Sequence, residues 1–401
     1  MPFDVAAVRA QFPALSAGTA HFDGPGGSQT PESVAKAVHD TLVSSIANQG
    51  TITAAERRAE TTVNSAREAM ADLLAADPGG IVFGRSMTQL TFDFARALAK
   101  TWSAGDEVVV SRLDHDANVR PWVITAESAG ATVRWVDFDP ESTELTSDHV
   151  ADQLSDRTRV VALTGASNLL GTRPNLEVIS RLVHDRDALF YVDGVHLTPH
   201  AAIDVAAMGA DLFACSPYKF FGPHCGVVAG RPELLESLHP DKLLPSTDDV
   251  PERFELGTLP YELMAGTTAA VDFIAALGGE GATRRERIVA SMDAVDKHED
   301  ELRRRIEDAL RELGDVEVHS RAANRTPTLL VTFDGRDADD AYQFLADHNV
   351  NAPAGSFYAY EPARRLGLAN GGLRIGLAPY SDDSDVARLL AGLAEFVSSP
   401  R

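Results

Sequence analysis

The chain has 401 residues, 44% of them hydrophobic and 24% charged, which fits a globular protein and a length that favours two domains over one. A net charge of −23 sets it against nucleic-acid phosphates and anionic membrane surfaces, so any anionic ligand needs a positive site built locally against the global field. The opening stretch MPFDVAAVRAQFPAL lacks the features of a secretory signal, no apolar run is long enough to span a bilayer, and Cys215 and Cys225 are too few for a disulfide framework or a cysteine metal site, so a cytoplasmic protein with reduced, buried thiols and no metal is expected.

In chain order, strands are predicted at 80–83, 107–111, 132–138, 159–164, 188–192, 211–215 and 226–229. Runs such as VVV, VVAL and ALFYV are the pattern of strands buried on both faces. Helical segments lie between them. The stretch 54–75 carries Val63, Ala66, Met70 and Leu73 at helical spacing, and Pro31 and Pro174 stand near the starts of two further helices. Such alternation predicts an α/β fold with a mainly parallel seven-stranded sheet covered by helices.

Beyond about residue 265 the pattern changes. A long charged helix over 284–313 leads to strands at 316–320, 326–333 and 373–377, with helices at 338–348 and 383–397. The predicted organisation is an N-terminal segment 1–20, a large domain 21–280 and a smaller C-terminal α+β domain 281–401, with no internal repeat or low-complexity tract.

The stretch 188–226 is the most informative chemically. The strand ALFYV ends in Asp193, and the strand DLFAC runs into Ser216-Pro217-Tyr218-Lys219. Ligands of parallel α/β sheets bind at the carboxyl ends of strands, where both Asp193 and Lys219 are expected. A lysine amine and a carboxylate in one crevice suit pyridoxal 5′-phosphate (PLP), whose aldehyde condenses with the amine and whose ring nitrogen pairs with the acid. Spacing alone leaves a salt bridge or two solvated strand ends equally open.

Six ordered motifs extend this reading. Val192-Asp193-Gly194-Val195-His196, followed by Ser216, Lys219, Gly222 and Pro223, resembles the cofactor segment of the class V aminotransferase / cysteine desulfurase family. Phe22-Asp23-Gly24-Pro25-Gly26-Gly27 is similar to that family's early glycine-rich signature, and Asp114-His115-Asp116-Ala117-Asn118 to its E-H-H-A-N motif. Ser167-Asn168-Leu169-Leu170-Gly171-Thr172, Phe254-Glu255-Leu256-Gly257-Thr258 and Leu373-Arg374 resemble three more. The resemblance implies a PLP-dependent transferase fold of the aspartate-aminotransferase type and a homodimer acting on a small amino-acid substrate.

It also implies roles. Lys219 would be the Schiff-base lysine, Asp193 the partner of the ring nitrogen, and His115 the residue stacked on the ring. Asn168 would bond the ring hydroxyl. His196, where many desulfurases have Gln, would serve the same oxygen, with its protonation near neutral pH as an added variable. Ser86, Met87 and Thr88, opening a helix after a strand, would hold the phosphate with Ser216 and Tyr218. Gly257 and Thr258 would reach the phosphate of the partner subunit, and Arg374 would bind the substrate carboxylate.

The pattern departs at Tyr218, which is His in many relatives, and at Pro353, where an arginine is often found, and it fails in one loop. Residues 351–360, where desulfurases carry a nucleophilic cysteine, contain none; Tyr358 falls nearest that position, and a phenol cannot carry a persulfide. Cys225, six residues after Lys219, is expected to be structural. Asp116, Thr53, Tyr358 and Tyr360 are candidates for the substrate pocket, Asp116 being equally readable as a solvated loop residue. Transamination, C–S β-elimination and epimerisation all remain open for such a site. A class V aminotransferase-like enzyme acting on an α-amino acid is the leading expectation, a desulfurase-like C–S lyase or epimerase without a persulfide relay the second, and an inactive PLP-fold scaffold the reading from another class.

Overall fold

The computed structural model describes residues 3–368 and 370–399. Thirteen strands are formed among them: β1 (Ala20–His21), β2 (Ile81–Gly84), β3 (Glu107–Ser111), β4 (Thr132–Val136), β5 (Thr158–Thr164), β6 (Leu189–Asp193), β7 (Leu212–Cys215), β8 (Gly226–Gly230), β9 (Val316–Val318), β10 (Thr328–Phe333), β11 (Val350–Asn351), β12 (Ala354–Gly355) and β13 (Gly372–Gly376). Strands β2 to β8 form one sheet in the order β2-β8-β7-β6-β5-β3-β4. All neighbours are parallel except β8, which runs antiparallel to both β2 and β7. The mainly parallel seven-stranded sheet expected from the apolar runs is present, and every predicted strand falls on an observed one. The strand predicted over 132–138 stops at Val136.

Apolar residues from both faces of this sheet anchor two cores. One includes Val109, Val161, Phe190 and Phe213; the other includes Val108, Val160, Tyr191 and Trp122. The helix Ala54–Leu74 starts at a capping box of Thr53 and Glu56, so Thr53 is occupied at an exposed helix end. Helix Glu32–Leu42 takes Pro31 as its N-cap, whereas Leu176–His184 is capped by Asn175, one residue beyond Pro174.

A second sheet, β12-β13-β10-β9, is antiparallel throughout and has its own core, which includes Leu329, Val331, Leu373, Leu389 and Phe396. Ala20 and Phe22 belong to that core, because β1 pairs in parallel with β11. One further bridge joins Asp23 to Gly376, and a side chain at Gly376 would lie 2.1 Å from Pro25. The early glycine-rich segment is thereby laid against β13. The long helix Arg284–Glu312 begins at a capping box of Thr283 and Glu286. Its buried face includes Glu299, whose carboxylate meets buried His200 at 2.9 Å.

Candidate active site

The parallel strands β3, β5, β6 and β7 all direct their carboxyl ends to the same edge of the sheet. There the chain leaves β3 for Asp114 and His115, β5 for Ala166 and Asn168, and β7 for Ser216 and Lys219, while Asp193 closes β6. All of these except the buried Asp114 line a cavity of about 360 Å³, together with Ser86, Met87 and Thr88 from the start of helix Met87–Ala99. The second sheet supplies Arg374, from the middle of β13, and Phe357 and Tyr358 from the loop before it. His196 and Tyr218 complete the set.

Lys219 and Asp193 enter from adjacent strands. The Lys219 amine donates to the carbonyl of Pro25. Burial, and then the nearby charge of Arg374, push its pKa down to about 7, against the opposing pull of Asp193. Asp193 Oδ1 accepts the Val195 N–H at 2.9 Å, yet burial raises its pKa to about 6. At neutral pH the acid is mostly ionised, and a large fraction of the amine is free base. His115 accepts the Ala117 N–H on Nδ1 at 3.0 Å, and burial, with Lys219 and Arg374 nearby, lowers its pKa to about 4. It is therefore a neutral ring with its proton on Nε2.

The helix Met87–Ala99 points its N-terminus at the cavity, its first turn capped by Ser86 Oγ, which accepts from Gln89 N–H at 3.1 Å. Gly226 on β8 lies flush against this turn: a Cβ there would stand 2.2 Å from the Met87 nitrogen. Unpaired N–H groups and the helix dipole make this end a receptor for an anion.

Three buried polar atoms around the cavity have no partner among the described residues: Asn168 Oδ1, His196 Nδ1 and Arg374 Nε. Arg374 is 2% exposed, donates from Nη1 to the Asn168 carbonyl at 3.1 Å, and lies 3.6 Å from the centre of the Phe357 ring. Burial brings its pKa down to about 9. Asn168 uses Nδ2 to hold the Phe357 carbonyl at 3.0 Å. His196 Nε2 sits between the hydroxyls of Thr326 and Thr328, at 3.0 and 3.1 Å.

One expectation needs correction. His196 is no switch near neutral pH, because burial first, and then His200, Arg374 and Lys219, hold its pKa far below the usual value. Asp116 and Tyr360, both candidates for the substrate pocket, line a pocket adjoining this cavity, where Asp116 Oδ1 accepts from Arg120 Nε at 2.7 Å. Thr53, engaged in its helix cap, does not line this cavity. Gly257 and Thr258 are exposed and stand apart from the cavity of their own chain. Their loop is tethered through Glu255, which accepts from Phe83 N–H at 3.0 Å and Arg67 Nη2 at 2.7 Å.

Sequence reasoning missed Phe357 and the carboxyl of Asp114. Phe357 would have been visible only as the neighbour of Tyr358. Asp114 is fully buried, bonds Ser111 Oγ and Asn118 Nδ2, and is raised to about 8 by burial. Its motif position was the available signal.

Comparison with known proteins follows the same lines. The profile of the family described as "Aminotransferase class-V" matches residues 20–389. The chain belongs to the class-V aminotransferase family. It is 33% identical to the uncharacterized protein MT3887 of Mycobacterium tuberculosis, over 98% of this chain and 99% of that one. The aminotransferase-like protein FGM3 of Gibberella zeae is 30% identical, with 98% of each chain covered. Among solved structures, the cysteine desulfurase CsdA of Escherichia coli superposes with a TM-score of 0.86 at 27% identity, covering 98% of each chain. This class-V chain is thus a PLP-dependent enzyme by family and has the fold-type I architecture. Among its described residues no helix is long and apolar enough to cross a membrane.

Proposed function

We propose that this class-V protein is an aminotransferase-like enzyme that binds PLP through Lys219 and acts on an α-amino acid. The observation that carries the reading is the convergence of Lys219, Asp193, His115 and Arg374 on one cavity beside a helix N-terminus. The orphaned atoms fit that cofactor: Asn168 Oδ1 and His196 Nδ1 are unspent polar groups for its ring substituents, and the N-terminus of Met87–Ala99 suits its phosphate. Ser216 and Tyr218 add hydroxyls to the same cradle, and His115 offers a neutral ring for stacking. When bound, PLP supplies an electron sink for the negative charge that develops at the substrate Cα.

The protein's own groups perform the rest. Arg374 binds the α-carboxylate with a guanidinium fork that Phe357 holds flat from one face. Asp193, mostly ionised at neutral pH, would pair with the protonated ring nitrogen of the cofactor. The Lys219 amine, whose pKa of about 7 leaves a large fraction unprotonated at neutral pH, would hold and move the proton at the substrate Cα. Exposed Gly257 and Thr258, tethered by Glu255, would complete the phosphate site of a partner subunit in a homodimer.

A persulfide relay is not supported by the chain's thiols. Cys215 and Cys225 are both buried, and burial raises both, Cys225 to about 11. The likeness to CsdA nevertheless favours C–S β-elimination as the second reading. Mixing holoenzyme with single amino acids, without a 2-oxo acid, separates the two. Lasting loss of the visible cofactor band supports transamination. Return of the band while pyruvate accumulates from cysteine replaces it with elimination. An unchanged band and no turnover with every amino acid would leave only the inactive scaffold, whereas turnover unaffected in Lys219→Ala would overturn the role of Lys219.

A further inference from the structure

A second cavity, of about 800 Å³, adjoins the first and shares Phe357 and Tyr358 with it. These two residues have φ of 53° and 57°, a left-handed conformation that side-chain-bearing residues rarely adopt twice in succession. Hydrogen bonds hold them there: Asn168 Nδ2 bonds the Phe357 carbonyl, and the Asp116 N–H bonds that of Tyr358 at 2.8 Å. Tyr358 stacks on His115 at 5.7 Å and is 77% exposed. Phe357 and Tyr358 are therefore a fixed aromatic boundary shared by the two cavities.

The charges beyond that boundary are unevenly spent. Glu361, only 8% exposed, accepts from Arg112 at 3.1 Å and from Arg120 at 2.6 Å, so both its oxygens are committed. Asp116 accepts from Arg120 Nε. Arg364, in contrast, makes no ion pair among the described residues; it donates to the Tyr360 hydroxyl at 3.2 Å and lies 5.3 Å from that ring. Ser356 contributes a side-chain hydroxyl with no hydrogen bond among the described residues. In a chain of net charge −23, the uncommitted charge facing this cavity is positive.

We propose that the second cavity is the side-chain subsite and that it takes an amino acid bearing a second anionic group, such as a side-chain carboxylate, received by Arg364 and Ser356. This rests on the function proposed above and adds the substrate class. A cationic side chain would meet carboxylates already paired with arginine and would face the unpaired charge of Arg364. A purely apolar one would strip water from a charged wall and return no hydrogen bond for it.

The test is calorimetric titration of holoenzyme with L-glutamate and L-2-aminoadipate against L-glutamine and L-norleucine. The anionic pair should bind at least ~10-fold tighter, as a charge-assisted hydrogen bond implies. Arg364→Gln should remove that preference while leaving L-alanine binding and the cofactor band as in the parent, and Arg364→Lys should keep part of it. Equal affinity for glutamate and glutamine, or a preference that survives Arg364→Gln, overturns the subsite. The parent reading is judged separately by lasting loss of the visible band with any of the amino acids tested. Band loss without a preference leaves the enzyme and removes the subsite; a preference without band loss does the reverse.

Discussion

The two walls of the first cavity are built in opposite ways. One wall comes from the seven-stranded sheet, where Asp193 closes a hydrogen-bonded strand and Lys219, His115 and Asn168 follow shortly after others. The other comes from residues 357 and 358, which have no strand beneath them and are held in left-handed geometry by Asn168 and the Asp116 N–H. The sheet wall has the positions of its side chains fixed by the ladder. The loop wall owes its shape to two hydrogen bonds and can change its side chains at little cost to the fold. Cofactor chemistry belongs on the first wall and substrate choice on the second.

Substitutions that separate the walls test this division. Lys219→Ala, on the sheet wall, should lower turnover by at least ~10³-fold and abolish the visible cofactor band while the circular dichroism of the fold persists. Residual turnover within tenfold of the parent would remove Lys219 from the mechanism.

Arg374→Gln sits where the walls meet. It should raise KM for amino acids by about 10²-fold, the loss of a charge-assisted contact, with a smaller change in kcat. It should also move a second observable. Capture of PLP by the apo-protein needs the unprotonated Lys219 amine, so its rate should climb as pH rises through about 7. Removing the Arg374 charge takes away one cause of that low pKa, and the midpoint should shift upward. A midpoint that stays put in Arg374→Gln would contradict the electrostatics of the sheet wall. The same group sets a stability trend. Folding lowers the Lys219 pKa from 10.5 to about 7, so the unfolded chain binds more protons between those values, and this residue makes stability rise with pH across that window.

Gly226→Ala presses a methyl into the Ser86–Met87 peptide and should cost about 1–3 kcal/mol of stability, visible in denaturant midpoints, with weaker phosphate retention. The smallest effect belongs to the loop wall. Tyr358→Gly removes left-handed strain from an exposed position and should change stability by no more than ~1 kcal/mol, leaving cofactor affinity untouched. A large loss of cofactor in Tyr358→Gly would erase the distinction between the walls.

The sheet wall was legible in the sequence because buried parallel strands are written as unbroken apolar runs, and because Asp193 and Lys219 stand just where such runs end. The short strands β1, β11 and β12 were not legible: two residues carry no periodicity, and β1 and β11 find each other only across about 330 residues of chain. Helix Tyr261–Ala275 escaped for a different reason. It is apolar nearly all round and packs on the helices Glu32–Leu42 and Ala54–Leu74, so it shows no amphipathic stripe. Gly266 within it admits Val38 at a distance no side chain would allow, which reads as a weak helix position until the neighbour is known. The charge states of His196 and Asp114 follow from burial rather than residue type, and the pairing of Asp116 with Arg120 turned a supposed pocket acid away from the first cavity.

The bridge between Asp23 and Gly376 has a consequence for how the protein is made. Residues 25 and 26 reach the Lys219 cavity on the flank of β13, so the pocket needs segments synthesised about 350 residues apart to meet. A nascent chain that already displays the Lys219 amine still lacks Arg374 and the strand that seats Pro25. Stable coloration of the polypeptide should therefore arrive late in translation, and ribosome-stalled chains ending before residue 372 should remain colourless while longer ones turn yellow.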